Sequence, residues 1–307
     1  MSPGRRLFYA VPLLWLLIFL LLPFLLVLKI SVADAVQAQP PYTPLVSIGA
    51  DGRLALDITL ANYRFIVDDT LYLVSYFASI KVAAISTLLC LLVGYPIAYA
   101  IARARGRLQL VLLLLVIMPF WTSFLLRVYA WKVLLQGNGL INGLLLHLGI
   151  IDAPLALLYT PAAVYLGIVY SYLPFMVLPL YAALARLDHA LVEAALDLGC
   201  RPWQAFARIT LPLSLPGIVA GSLLVFIPAV GEFVIPEMLG GPDSIMIGRV
   251  LWNEFFANRD WPLAAAVAVA MLLILVLPIA LLQSRSTGSH GMAREPAPGN
   301  RSGAAAP

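Results

Sequence analysis

Charge is what this chain has least of. Only 11% of its 307 residues are Asp, Glu, Lys or Arg, against 62% that are hydrophobic. A soluble domain carries about 25% charged and about 45–50% apolar residues. One globular core cannot bury such an excess, so lipid must solvate much of it, as the mean hydropathy of +0.96 also indicates. The reading is a polytopic membrane protein. Its net charge of +4 is small and spread along the chain, which does not point to nucleic acid. Cysteine is scarce too. Cys90 lies in an apolar span and Cys200 in a polar loop, neither with metal-ligand neighbours, so neither a disulfide framework nor a metal site is expected. The three histidines (His147, His189 and His290) are scattered. His-Glu-x2-His is missing, and no Ser/His or paired-Asp arrangement stands on adjacent spans, which argues against an intramembrane enzyme. Gly-x4-Gly-Lys-Ser/Thr is missing as well, so no phosphate-cradling loop is present.

What the chain does have is long apolar runs. Segments at about 7–30, 77–102, 109–131, 158–184, 216–236 and 262–283 are each long enough to cross roughly 30 Å of hydrocarbon as a helix. The first follows Arg5-Arg6 and precedes Ala33-Asp34-Ala35, as a signal peptide would. Its run from Leu7 to Leu28 far exceeds the roughly 7–15 residues of a cleavable core, so an uncleaved span is expected. Basic residues set the orientation. Arg103, Arg105, Arg107, Arg186, Arg201, Arg208 and Arg285 fall on the side of the N-terminus. The first loop on the other side, about 31–76, carries Asp34, Asp51, Asp57, Asp68 and Asp69 against Arg53 and Arg64. Both termini are therefore expected in the cytoplasm. Residues 139–150 are too short to span and suit an interfacial or re-entrant helix. Residues 1–76 read as the first span with a small external cap, 77–283 as a five-helix core, and 284–307 as a disordered cytoplasmic tail rich in Gly, Ser, Pro and Ala.

Between the fourth and fifth spans lies a polar island, residues 185–215. Asp188 can cap a helix from His189 to Leu198, and Gly199 suits the C′ position after it, where positive φ is needed. Pro202 suits the first turn of a second helix to about Ile209, which Leu211-Pro212 is expected to break. Ala194, Ala195 and Leu198 would form one side, with Trp203, Phe206 and Ile209 available for docking and Glu193 and Arg201 at the rim. An ordinary amphipathic loop lying on the membrane would share the caps and breaks.

The whole spacing is more restrictive. Glu193-Ala194-Ala195-x3-Gly199-x6-Phe206-x2-Ile209-x-Leu211-Pro212 resembles the signature of binding-protein-dependent ABC importer permeases, with Cys200 where many relatives carry Ala. The segments 137–142, 172–179, 230–237, 248–252 and 255–262 resemble the permeases of spermidine/putrescine importers, those of putrescine importers especially. The likeness covers about residues 77–283. It implies an all-α fold of six transmembrane helices, the type I (MetI-like) importer permease, in a bacterial inner membrane. It implies a cytoplasmic ATPase dimer that binds ATP and Mg and holds the loop through Glu193, Ala194, Ala195, Gly199, Trp203, Phe206 and Ile209. A second, related permease and an external polyamine-binding protein complete the implied assembly. This chain itself would be no enzyme and would hold no cofactor.

A polyamine needs acceptors for its N–H groups and partial charge compensation inside the membrane, which carboxylates and aromatic faces supply. Glu232 lies at or near the end of the fifth span and is the leading pathway candidate, with Glu237, Trp121 and Tyr172 beside it. A buried structural hydrogen bond, or a pair with Arg127 or Lys132, is the competing account of Glu232. Asp243, Glu254 and Asp260 could line an acidic vestibule or be solvated loop charges. The rival function is a self-sufficient secondary transporter or channel for an organic cation, in which Glu232 would be an ion site and the loop merely structural.

Overall fold

The computed structural model describes residues 3–48, 54–242 and 244–287. Of the expected tail at 284–307, residues 284–287 end the last helix, and the rest, like Asp243, lies outside the described residues. In chain order the elements are α1 (Ala10–Ser31), a hairpin of β1 (Val46–Ile48) and β2 (Leu54–Leu56), and α2 (Ala61–Asp68). There follow α3 (Thr70–Arg103), α4 (Arg107–Ile117), α5 (Phe124–Leu134), α6 (Leu140–His147) and α7 (Pro161–Leu184). Then come α8 (His189–Asp197), α9 (Pro202–Leu213), α10 (Leu215–Val230), α11 (Val234–Leu239), α12 (Ile247–Trp252) and α13 (Trp261–Thr287). The hairpin is antiparallel, with Val46 opposite Leu56.

Among the described residues, α1, α3 and α7 are each long and apolar enough to cross a membrane. Two bent pairs, residues 107–134 and 202–230, pass the same test jointly, and the apolar α13 follows. Six spans are compatible with this set, but the third and fifth are not straight rods. The third is bent by 91°. Met118–Trp121 tightens into a 3-10 turn at Pro119, and Thr122 and Ser123 leave helical geometry before α5 begins. Hydropathy registers neither change, because the composition stays apolar through the corner. The fifth span starts from a 62° bend at Ser214 and its long helix ends at Val230, short of Glu232.

The centre of the molecule is α3 packed between α7 and α10. The buried face of α3 runs through Ser75, Ser79, Ala83, Ser86, Cys90, Gly94 and Ala98, small residues three or four apart. Such a stripe lets helix backbones approach closely where no hydrophobic drive separates protein from lipid. The same device serves α10. A Cβ on Gly221 would stand 2.9 Å from Met176 Sδ and 3.0 Å from its carbonyl oxygen, so α7 fills the space a larger residue would need. Met176, Val177, Leu180 and Val225 close the core around Cys90 and Ala98. By contrast α1 has no buried window. It meets the rest of the protein where Leu22–Ser31 rests on α13 and where Ser31 meets α2, its Oγ 2.7 Å from Tyr63 Oη and its carbonyl accepting from Asn62 Nδ2 at 3.1 Å.

Polar anchors hold the end of the molecule that carries α2, α11 and α12. Tyr76 Oη donates to the carbonyl of Val267 at 2.7 Å, and the Ile247 N–H donates to Ser79 Oγ at 2.8 Å. In the 139–150 segment, buried Asn142 holds Gln136 and Leu155. Its Nδ2 donates to their carbonyls at 3.1 and 2.9 Å, and its Oδ1 accepts the Leu155 N–H at 2.9 Å.

Candidate functional site: the 188–214 loop and the Glu232 turn

The loop folds from local signals. Asp188 Oδ1 accepts the Ala190 N–H at 3.0 Å and starts α8. Gly199 has φ +85°, and the Cys200 N–H donates to the Ala195 carbonyl at 3.0 Å, the six-to-one bond of a Schellman stop. Pro202 opens α9, and Gln204 Oε1 accepts the Arg201 N–H at 3.0 Å. The expected break at Leu211-Pro212 does not occur. Residues Phe206–Thr210 form a π turn, with the Leu211 N–H reaching back to Phe206, so the helix accommodates Pro212 and runs to Leu213. The break comes at Ser214, whose Oγ lies 2.9 Å from Tyr95 Oη.

Packing divides the residues singled out in this loop. Glu193, Ala194 and Gly199 face outward, as do Leu198, 86% exposed, and Trp203, 63% exposed. Ala195 and Ala205 are buried, and Ile209 is half-buried. Phe206, expected on the docking surface, instead turns into the protein. It meets Tyr95 at 5.6 Å and Tyr99 at 6.0 Å, edge to face in both cases, and the Arg103 guanidinium lies 4.7 Å from the Tyr99 ring centre. A cleft of about 370 Å³, lined by Ala102, Arg103, Arg105, Val192, Glu193 and Leu196, separates the last turn of α3 from α8.

At the opposite end of α10, Gly231 and Glu232 leave the helix and α11 begins two residues later. Glu232 is 6% exposed. Its Oε1 accepts the N–H groups of Phe233, Val234 and Ile235 at 3.2, 3.0 and 3.4 Å, and its Oε2 accepts Tyr172 Oη at 2.5 Å. The carboxylate therefore caps α11 and ties it to α7. It is paired with neither Arg127 nor Lys132. Glu237, on α11, takes Arg249 of α12 as an ion-pair partner, Oε2 to Nε 2.5 Å. Gly248 allows that approach: a Cβ there would come within 2.9 Å of the Glu232 carbonyl oxygen. Trp121, 78% exposed, stands at the corner between α4 and α5, apart from this network. Glu254 is taken up by Tyr72 Oη at 3.0 Å and Asn258 Nδ2 at 2.8 Å, and Asp260 caps α13 through the Leu263 N–H at 3.0 Å.

Residues 91–284 match the family model described as the binding-protein-dependent transport system inner membrane component. The chain belongs to this family. It is 41% identical over 83% of its length to the spermidine/putrescine transport system permease protein PotB of Haemophilus influenzae, covering 84% of that protein. The identity is the same to PotB of Escherichia coli K12, of which it covers 87%. Its fold matches a solved bacterial alginate ABC transporter, captured with an alginate pentasaccharide-bound periplasmic protein. That match has a TM-score of 0.69 at 17% identity, covering 94% of this chain and 96% of that one. The protein is thus a mostly helical, multi-pass inner-membrane permease component.

Two features of this permease escape sequence reading. Tyr95 and Tyr99, the seat of Phe206, sit inside a plain apolar span. The surroundings of Arg127 are the second: the sequence offers it as a partner of Glu232, and the fold buries it among aromatic rings instead.

Proposed function

We propose that this permease forms half of the translocation pathway of an ATP-driven importer for polyamines, putrescine or spermidine. Both termini and the 188–214 loop then face the cytoplasm. ATP and Mg bind to a separate ATPase dimer, a second related permease supplies the other half, and an external binding protein delivers the cargo. The observation that carries the reading is the two-sided construction of the loop. Glu193, Ala194, Leu198, Gly199 and Trp203 are presented outward to a partner, while Phe206 is wedged between Tyr95 and Tyr99 of the central helix. A push on the outer face is delivered to α3, because packed side chains transmit displacement rather than absorb it. The identity to PotB relatives supports the cargo class.

As pathway contacts we keep Glu237, exposed and ion-paired with Arg249, and the exposed Trp121, with Glu232 and Tyr172 holding each other and fixing the turn beside Glu237. The decisive experiment is uptake of labelled putrescine and spermidine by the complete complex. Uptake that follows the ATPase and the binding protein is expected, and flux through this chain alone in vesicles would favour the self-sufficient transporter instead. Glu193→Lys should uncouple ATP hydrolysis from uptake without changing the affinity of the binding protein for its cargo. Normal coupling in that variant would remove the loop from the mechanism.

A further inference from the structure

Arg127 is the one described side chain whose charge the fold leaves unanswered at both of its buried donors. The residue is 9% exposed, and its Nε and Nη1 are buried with no hydrogen-bond partner. Its surroundings are aromatic: the guanidinium carbon lies 5.3 Å from the Phe120 ring centre and 5.8 Å from that of Phe124. Ring faces attract a cation but offer no lone pair in the plane of the guanidinium, so the N–H groups stay unmatched. Burial makes this costly. An uncompensated cation buried there costs several kcal/mol by order of magnitude, unless another arrangement supplies an acceptor.

Glu232 is the carboxylate at the far end of the rings around Arg127. Phe120 meets Phe175 at 5.0 Å, Phe175 meets Tyr172 at 6.0 Å, and Tyr172 Oη holds Glu232. A continuous run of rings therefore separates the guanidinium from the Glu232 carboxylate, and α5 packs directly on α11, the helix that Glu232 caps. Among the described residues the ion pairs lie elsewhere, Arg64–Asp68 and Arg249–Glu237. Glu232 is satisfied by α11 and Tyr172, Arg127 by ring faces alone. Exchanging the two situations would match Arg127 and release α11, at the loss of the acceptor for Tyr172 and the α11 amides.

We propose that Arg127 is the alternative partner of Glu232. In the opposite conformation of the transport cycle the carboxylate leaves Tyr172 and the α11 amides and pairs with the guanidinium. The ring run Phe120–Phe175–Tyr172 is the partition that holds them apart here. The inference rests on the permease reading, since only a cycling transporter visits both states.

The test uses the complete complex, with Cys90 and Cys200 replaced by alanine and Arg127→Cys combined with Glu232→Cys. A short bifunctional thiol reagent is applied in the nucleotide-free state and again in a vanadate-trapped state. Cross-linking should differ by about tenfold between the two states. Equal yields in both would overturn the proposal. Because the cysteine pair also removes the acceptor of the α11 amides, a second arm keeps it: Arg127→Gln and Glu232→Gln, singly and together. The double variant should lose no more binding-protein-stimulated ATPase activity than either single variant, and additive losses would count against pairing. The permease reading fails separately, if the unmodified complex shows neither uptake nor binding-protein-stimulated hydrolysis.

Discussion

Residues 188–214 and residues 231–249 each place short helices against an end of α10, but they treat their polar and aromatic groups in opposite ways. The loop at the α9 end keeps its backbone in order with its own neighbours: Asp188 with Ala190, Cys200 with Ala195, Arg201 with Gln204. That leaves Leu198, Trp203, Glu193 and Ala194 free on the outside. The turn at the α11 end spends its charged groups inside the chain, Glu232 on Tyr172 and the α11 amides, Glu237 on Arg249. A surface built for a partner leaves large apolar side chains uncovered and asks little of them for stability. A structural joint in a membrane does the reverse, because lipid offers no hydrogen bonds to groups left unmatched.

The contrast can be broken by mutation, and the thermal midpoint of the solubilised protein is the measure. The largest effect on the fold should come from Glu232→Ala. It strips three amides and the Tyr172 hydroxyl of their acceptor and should destabilise the protein by about 3 kcal/mol, while Glu232→Gln, which keeps an acceptor oxygen, should cost about 1 kcal/mol. Equal effects of the two would mean that the charge, not the cap, matters. Next comes Phe206→Ala, at about 2 kcal/mol for a half-buried ring. It should also lower uptake per ATP hydrolysed, since the contact with Tyr95 and Tyr99 is lost. Gly199→Ala should cost about 1 kcal/mol, the penalty of a Cβ at φ +85°. The smallest effect on the fold should follow Leu198→Ser with Trp203→Ser, within about 0.5 kcal/mol because both are exposed. The same pair should weaken ATPase association about tenfold in a pull-down titration. A large fall in thermal midpoint would show that these residues support the chain rather than a partner.

The two regions also differ in how far they can be read from sequence. Asp188, Gly199 and Pro202 act on residues within five positions of themselves, so their type and spacing predict what they do. The Glu232 partner Tyr172 lies 60 positions away, and the Arg249 partner Glu237 sits across an inter-helix turn. No periodicity announces such pairs, and from sequence Glu232 reads first as a cation contact, with a buried hydrogen bond or an ion pair as the competing accounts. Phe206 illustrates the same limit. Its place in the loop is legible, but whether its ring points to a partner or to Tyr95 depends on how α9 is rolled against α3. Pro212 is a further case: a proline predicts a break, and a π turn just before it lets the helix continue.

By itself the sequence determined that the chain lives in lipid, how many apolar runs it has, where its capped polar loop lies and which family it resembles. Those properties follow from composition, hydropathy and contacts between near neighbours, all of which are written along the chain. Only the tertiary structure decided that the third and fifth spans bend, that Glu232 is a cap bound to Tyr172, that Phe206 faces inward and that Arg127 stands unmatched. Each of those depends on which distant side chains meet, and in a membrane that is set by close packing of small residues on α3, α7 and α10, not by the hydrophobicity that the spans share.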